Sequence, residues 1–338
     1  MSRLLIAALL AAAPAHAKVS LRRVGDWLSN VTHPCHFPPK KKRFDASRWA
    51  LTWSDEFNGS DGNACFTRPA MCQYIASWGV RPCPEETQAK LRGLDKCKWS
   101  VWHFKNYMAE AQHNFDANDV SVEDGMLVLT SRARTPAPAA KDCKTSPEWT
   151  AACPLSAGGV ESRPYGADVT GFAQQHGRFE VRAKLPRTPG SWPAHWLMPH
   201  GQGLKWPDDG EIDIMESFGG QTRRVAFTLH WADGGHQQDG VRCALNLRRD
   251  FADDFHVFAV EWEPGEIRWF VDEYQVGKLR AKDRNKHRKR VRIPAHPFYW
   301  LLNTSISPMG MPPGEKLEPA RFPTGKHYID YVRVYRRK

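Results

Sequence analysis

The sequence has no apolar run long enough to cross a bilayer, which argues against a helical membrane span. Its longest apolar run covers residues 4–14, far short of the roughly 20 residues that a transmembrane helix needs. Hydrophobic residues seldom recur with helical spacing, and strands do not alternate with helices, so a nucleotide-binding α/β sheet is not expected. Internal repeats, phosphate-loop motifs and Cys-x-x-Cys pairs are also missing, and the last absence argues against a zinc ribbon.

Residues 4–14 have instead the pattern of a secretory signal peptide. Arg3 precedes the run, and the Ala-His-Ala sequence at 15–17 supplies the small residues of a cleavage site. We therefore expect a signal peptide over 1–17 and a secreted protein, either extracellular or periplasmic. A short N-terminal core helix is the alternative interpretation.

The eight cysteines all lie beyond residue 17, and an oxidising compartment would allow them to form disulfides. Eight cysteines allow about 105 complete pairings, so we predict only one local pair, Cys143 with Cys153. Residues 60–97 contain four of the eight cysteines, and we expect this stretch to be an insertion pinned by disulfides. Within it, residues 84–96 begin with acidic residues and end with lysine, which favours a helix.

The formal net charge of +11 comes from two short stretches. Residues 280–292 contribute +7 and residues 40–43 contribute +4, so the remainder of the chain is neutral overall. Because a nucleic-acid-binding protein presents a broader basic face, we expect no nucleic-acid partner. The two stretches are either solvated loops or a binding site for an anionic polysaccharide.

Apolar and polar residues alternate with period two in much of the chain, which is typical of half-buried β-strands. Turn-forming Pro-Gly, Asp-Gly and Gly-Gly pairs separate these stretches. The clearest strand candidates are residues 126–131, 177–185, 255–263, 267–272 and 328–335. Many short strands of this kind predict an all-β sandwich or barrel.

A cluster of acids occurs in the octapeptide GEIDIMES, residues 210–217. On a strand, Glu211 and Asp213 point to the same side, while the isoleucines between them point to the core. Glu216 would face away on a regular strand, because it is five residues from Glu211. A β-bulge around residues 214–215 would add one residue and return Glu216 to the side of the other two acids.

Three carboxyl groups this close together would not all ionise at neutral pH. Burial and mutual repulsion would raise the pKa of at least one of them, so that it keeps its proton. A protonated acid beside an ionised one is what double-displacement glycoside hydrolysis requires. The alternative is a solvent-facing strand with acidic residues at alternate positions.

The octapeptide and its flanks resemble glycoside hydrolase family 16, in the laminarinase-like (endo-1,3-β-glucanase) branch, whose motif has the extra residue. Blocks resembling the family occur in the same order over about residues 49–336. They are WSDEFNG (53–59), VSVEDGMLVLTSR (120–132), HGRFEVRAKLPRTPGSWPAHWLMP (176–199), TLHW (228–231), DFHVFAVEWEPGEIRWFVD (254–272), PFYWLLN (297–303) and DYVRVY (330–335).

The resemblance implies a role for each acid. Glu211 would be the nucleophile, Glu216 the general acid and then base, and Asp213 the central acid that tunes the pair. The implied fold is a β-jelly-roll of two antiparallel sheets with a concave substrate cleft and, here, a Cys-rich insertion. We expect a single catalytic domain over residues 49–336, after an N-terminal extension over 18–48.

The resemblance also implies substrate contacts outside the acids. Trp192 matches a cleft tryptophan and is the best candidate for stacking on a sugar ring, whereas His230 would hydrogen-bond a carboxylate or a sugar oxygen. A role in the core is the alternative for the tryptophans and the histidine. The full set of implied substrate-binding residues is Trp192, Trp196, His230, Trp231, Glu110 and Gln112.

Many members of the family carry a structural calcium ion, and the resemblance places Asp330 and Glu56 at that site. Carboxylate oxygens suit Ca²⁺, but an ordinary surface aspartate is the alternative. We expect no cofactor for catalysis and a monomer.

We therefore expect a secreted, retaining endo-glycosidase that hydrolyses β-1,3-glucan or mixed β-1,3-1,4-glucan. Two alternatives remain open from the sequence. One is a hydrolase of sulfated or anhydro-galactan of the agarase or carrageenase type, which the basic stretch 280–292 favours. The other is a non-catalytic β-glucan-binding protein, although such proteins typically lose the acids that are present here.

Overall fold

The computed structural model of the chain describes residues 45–59, 64–75, 79–104, 113–135, 153–244 and 250–338. The predicted signal peptide, most of the N-terminal extension, and residues Glu110, Gln112 and Cys143 lie outside the described residues. Their predictions stay predictions, as do the domain boundaries. No helix in the described ranges is long and apolar enough to span a membrane.

The described residues form an almost entirely β structure in which two sheets pack face to face, as predicted. The strands are β1 Trp49–Asp55, β2 Met71–Ile75, β3 Gly79–Pro82, β4 Ser100–Trp102, β5 His113–Phe115, β6 Val120–Glu123, β7 Met126–Ala133, β8 Leu155–Ala157, β9 Gly159–Glu161, β10 Gly177–Lys184, β11 Ser191–Pro199, β12 Glu211–Ser217, β13 Arg224–Ala232, β14 His236–Ala244, β15 His256–Glu263, β16 Glu266–Val271, β17 Tyr274–Arg280, β18 Phe298–Ile306 and β19 Gly325–Arg337. All five strand candidates named from the sequence are among them.

Helices are short. The α-helices are α1 Ala64–Thr67 and α2 Glu85–Gln88, and the 3₁₀ helices are Ala46–Arg48, Ala117–Asp119, Gly219–Gln221, Pro308–Gly310 and Pro319–Arg321. The prediction of a helix over 84–96 is wrong after its first turn. Gly93 adopts a φ of +88° and lies so close to Val122 that an added Cβ would be 3.1 Å from its side chain. The segment follows this packing instead of continuing as a helix.

The two sheets have ten and nine strands in the described part of the chain. The ten-stranded sheet runs β17-β16-β15-β10-β19-β7-β8-β5, with β1 paired to β19 and β6 to β7, and the nine-stranded sheet runs β14-β13-β12-β11-β18-β9-β4-β2-β3. The strand pairs are antiparallel, as predicted, except that near the sheet edges β2 pairs with β4 and β5 with β8 in parallel. Both parallel pairs have long intervening segments, which parallel connections require.

Disulfides pin the insertion, as predicted. Cys65 pairs with Cys97 and Cys72 with Cys83, closing loops of 32 and 11 residues. Cys153 is also disulfide-bonded, and its pairing with Cys143 stays a prediction. Linking distant residues removes conformations from the unfolded chain, which stabilises a segment with little regular structure.

The main core lies between the two sheets. Val181 and Phe258 from the ten-stranded sheet pack in one cluster with Ile212 and Leu229 from the nine-stranded sheet. A second, strongly aromatic cluster lies on the opposite side of the nine-stranded sheet. It includes Trp192 and Trp196 of β11, whereas Leu197 of the same strand belongs to the main core. We call this opposite side of the nine-stranded sheet the acid-bearing face, because the acids of β12 lie on it.

Candidate active site

Strand β12 contains a β-bulge where the sequence predicts it. Its neighbour β13 pairs Thr228 with Asp213 and Ala226 with Glu216, so residues 214–215 together oppose a single residue of β13. The pairing of β12 with β11 shifts at the same point. The extra residue returns Glu216 to the face that carries Asp213.

The bulge places three buried carboxyl groups together. Glu211, Asp213 and Glu216 are 4%, 3% and 8% exposed, respectively. The residues between them, Ile212, Ile214 and Met215, are fully buried in the core between the sheets. The apolar side chains thus hold the strand from behind while the acids share the opposite face.

Glu211 and Asp213 form a coupled pair. Burial, and then the neighbouring charge of Asp213, raises the pKa of Glu211 well above its ordinary value. Burial and the charge of Glu216 do the same to the pKa of Asp213, and a hydrogen bond links the two carboxyl groups. The pair therefore shares a proton, which leaves one carboxylate charged.

A histidine on the adjacent strand contacts this pair from the side. Nε2 of His230 lies 2.8 Å from Oδ2 of Asp213, and burial lowers the pKa of the imidazole. The neutral ring donates from Nε2 and accepts at Nδ1, where Nε2 of His236 lies at 3.0 Å. His230 is thus at the acids, as predicted.

Two residues that the sequence reasoning missed complete this side of the site. Nε1 of Trp206 donates a 2.7 Å hydrogen bond to Oε2 of Glu211. The ring of His236 lies 4.8 Å from that of Trp206 and 5.2 Å from that of His230, measured between centroids. Only the nearness of Trp206 to Glu211 in the chain could have indicated the first of these contacts.

Trp192 contacts the third acid through its edge. Its Nε1 donates a 3.2 Å hydrogen bond to Oε1 of Glu216, and its ring packs against Phe218 with centroids 5.5 Å apart. The side chain is 1% exposed, contrary to the expectation of an open ring face for stacking. The aromatic cluster covers the faces of the ring and leaves the N–H for the carboxylate.

Trp196 and Trp231 do not contact the acids through their ring nitrogens. Nε1 of Trp196 donates to Oδ1 of Asn303 at 2.8 Å, within the buried aromatic cluster. Trp231 is buried between the sheets, so its prediction as a substrate contact is wrong. Because His230 points to the acid-bearing face, the next residue of the strand must point to the other.

A fourth buried acid, Glu161, lies on the same face at β9. It accepts hydrogen bonds from Nε1 of Trp102 at 3.1 Å and from the Tyr165 hydroxyl at 2.5 Å. Burial raises its pKa. The two donors hold Glu161 against the second aromatic cluster, and their hydrogen bonds reduce the cost of burying its carboxyl group.

The donors at the expected calcium site do not fit a metal ion. Glu56 forms a bidentate pair with Arg333, with both N–O distances 2.8 Å. Asp330 pairs with Arg182. Both carboxylates therefore already neutralise an arginine.

Comparisons with known proteins agree with this geometry. Residues 111–333 match the family described as glycosyl hydrolases family 16. A beta-glucanase of Rhodothermus marinus is 30% identical over 327 residues, covering 94% of this chain and 96% of that protein. The laminarinase catalytic domain of Thermotoga petrophila superposes with a TM-score of 0.61 at 25% identity, covering 86% of this chain and 98% of that one. The Thermotoga maritima laminarinase domain gives 0.59 at 26% identity, covering 86% and 99%.

Proposed function

Since the chain belongs to glycosyl hydrolase family 16, we propose that it cleaves β-1,3-glucan or mixed β-1,3-1,4-glucan at internal bonds with retention of configuration. The observation that carries this proposal is the bulge of β12, which brings Glu211, Asp213 and Glu216 to one buried face. The similarity to a beta-glucanase over nearly the whole chain supports the choice of glucan.

In the first half-reaction, Glu211 attacks the anomeric carbon and Glu216 donates its proton to the glycosidic oxygen. The bond between the sugar and the leaving chain breaks, and an ester forms between Glu211 and the sugar. In the second half-reaction, Glu216 removes a proton from water, which attacks the same carbon. The ester breaks, and Glu216 regains the proton for the next cycle.

Asp213 and its partners keep Glu211 in the right charge state. For attack, Glu211 must pass the shared proton to Asp213, whose hydrogen bond then stabilises the Glu211 carboxylate. His230 holds Asp213 in place from the other side. Trp206 donates its Nε1–H to the Glu211 carboxylate. A hydrogen-bond donor to the charged form lowers the pKa of a carboxyl group.

The glucanase proposal predicts a definite substrate range. We expect laminarin or lichenan to release reducing ends, with the β-anomer appearing first in the proton NMR spectrum. Agarose and carrageenan are the comparison substrates, measured at the same protein concentration. Cleavage of the galactans alone would overturn the choice of glucan, and initial release of the α-anomer would overturn retention.

Replacing Trp206 by Phe is expected to move the acidic limb of the pH profile of kcat/KM to higher pH. The variant loses the N–H that stabilises ionised Glu211, so the pKa of the nucleophile rises and less of it is charged at low pH. A hydrogen bond to a charged group contributes about 1.5–3 kcal/mol, so kcat/KM on the acidic side should fall about tenfold or more.

Trp196→Phe is the matched control for this measurement. It removes an indole N–H that is bonded to Asn303 and not to a carboxylate, so its acidic limb should stay where it is in the unmodified protein. An unshifted limb in Trp206→Phe, or an equal shift in both variants, would contradict the role given to Trp206.

The protein is proposed to act outside the cytoplasm. The disulfides of the insertion support an oxidising compartment, and the signal-peptide pattern of residues 1–17 gives a route of export.

A further inference from the structure

The stretch 280–292, which we call the basic loop, is a strongly charged surface that the catalytic mechanism does not use. Most of its cationic side chains are exposed to solvent. The exposed residues are Lys282, Arg284, Lys286, Arg288, Arg290 and Arg292. So many like charges in one short segment repel one another. A function that uses them would explain why the segment carries them.

The loop is held in a fixed shape from within. Asn285 is 4% exposed, and its Oδ1 accepts hydrogen bonds from the backbone N–H groups of His287 at 2.9 Å and Lys289 at 3.0 Å. Val291 anchors the far end in the core. The cations therefore stand on a built turn and not on a loose chain.

Carboxylates near the loop offset only part of its charge: Asp283 lies within it, and Asp239 interacts electrostatically with Lys286. Arg292 lies 3.6 Å from Asp233, and Arg280 pairs with Glu266. Within the described ranges, no carboxylate lies at salt-bridge distance from the other cations of the loop, which are Lys282, Arg284, Lys286, Arg288, Lys289 and Arg290. A surface of this kind attracts a partner with repeated negative charges.

The loop lies beside the end of β12 that carries Glu211, on the core side of the nine-stranded sheet. Nδ2 of Asn285 donates a 3.2 Å hydrogen bond to Oε1 of Gln237 in β14. Gln237 pairs with core-facing Trp231 and so points away from the acids. As the chain leaves the loop, Pro294 packs so closely on Gly210 that an added Cβ would lie 2.8 Å from its ring. Gly210 directly precedes Glu211. The basic loop therefore lies at the rim of the sheet that carries the acids, on the side opposite to their face.

We propose that the basic loop binds an acidic polysaccharide, one that carries sulfate or carboxylate groups, at the rim of the sheet that carries the catalytic acids. Guanidinium and ammonium groups form charge-assisted hydrogen bonds with both anions. This inference extends the proposed function, on which it rests for the choice of a polysaccharide over a nucleic acid.

The test compares two triple variants with equal loss of charge. The loop variant is K282Q/K286Q/R288Q, and the control is R92Q/K316Q/R336Q, whose residues are exposed and lie elsewhere in the chain. Binding of each protein to dextran sulfate is measured at physiological salt. We expect the loop variant to bind about tenfold more weakly than the unmodified protein, and the control to change less than about twofold.

Hydrolysis identifies the source of the anion. If the acidic chain is itself the substrate, the loop variant loses kcat/KM on sulfated laminarin and keeps it on laminarin. If the acidic chain is a neighbouring polymer, both activities stay unchanged and only dextran sulfate binding falls. Either result supports the proposal.

Three results would overturn it. The two variants could lose affinity equally, which would assign binding to net charge alone, or the unmodified protein could fail to bind dextran sulfate. Single-stranded DNA could also bind more tightly through the same loop, which would make this a nucleic-acid surface. Failure to cleave laminarin, with binding to dextran sulfate intact, would instead count against the glucanase proposal alone.

Discussion

Replacement of Glu211 by Gln is expected to lower kcat on laminarin by about 10⁴-fold, with little change in the folded structure. The amide has nearly the shape of the carboxyl group but cannot form the ester with the sugar, so the double displacement stops at its first step. The measurement is reducing-end release under saturating laminarin. Glu315→Gln, at an exposed residue, is the matched control and should keep full activity.

A trapping experiment tests the same role directly. A 2-fluoro glucoside with a good leaving group should inactivate the unmodified enzyme and add one sugar mass to a peptide containing Glu211. The Glu211→Gln variant should not be labelled. Full activity in that variant, or label on another acid, would refute the assignment of the nucleophile.

Replacement of Glu216 by Ala is expected to lower kcat on laminarin by about 10³-fold, through loss of proton transfer. The loss should be much smaller for the first step with a dinitrophenyl glycoside, because its leaving group needs no proton. Added azide should then restore turnover by attacking the glycosyl-enzyme in place of water. The product to be measured is a β-glycosyl azide.

The pH profile of kcat/KM is a second test of the role of Glu216 in this variant. The unmodified enzyme needs Glu216 protonated for the first step, so kcat/KM should fall at high pH, whereas the variant should lack that fall with the activated substrate. Formation of the β-glycosyl azide by a Glu211 variant and not by the Glu216 variant would mean that the two roles are exchanged.

The strands and the bulge could be predicted from the sequence alone, because both follow from the local alternation of side chains between the two faces of a strand. Three acids that must meet on one face, spaced two and then three residues apart, require one extra residue between Asp213 and Glu216. The same alternation excludes a shared face for His230 and Trp231. The prediction for Trp231 relied on resemblance where the strand geometry already gave the answer.

Contacts between distant parts of the chain could not be predicted from local pattern. Arg333 pairs with Glu56 across 277 residues, and that pair is why the expected calcium ligands do not fit. Trp206 and His236 come from a loop and a neighbouring strand, and only the folded sheet brings their rings together. Whether Trp192 turns its face or its edge toward the acids was likewise decided by the packing of Phe218.

Because of the bulge in β12, two glutamates an odd number of residues apart share one face of the strand. Four steps along a flat strand return a side chain to its starting side, and here five steps do so because the backbone takes up the odd one. Deleting the codon for Ile214 or Met215 together with the bulge would restore an even count, with both glutamates still on the same side. A lineage could thus pass between the two motif lengths in one event, without an ancestor whose nucleophile and proton donor faced opposite ways.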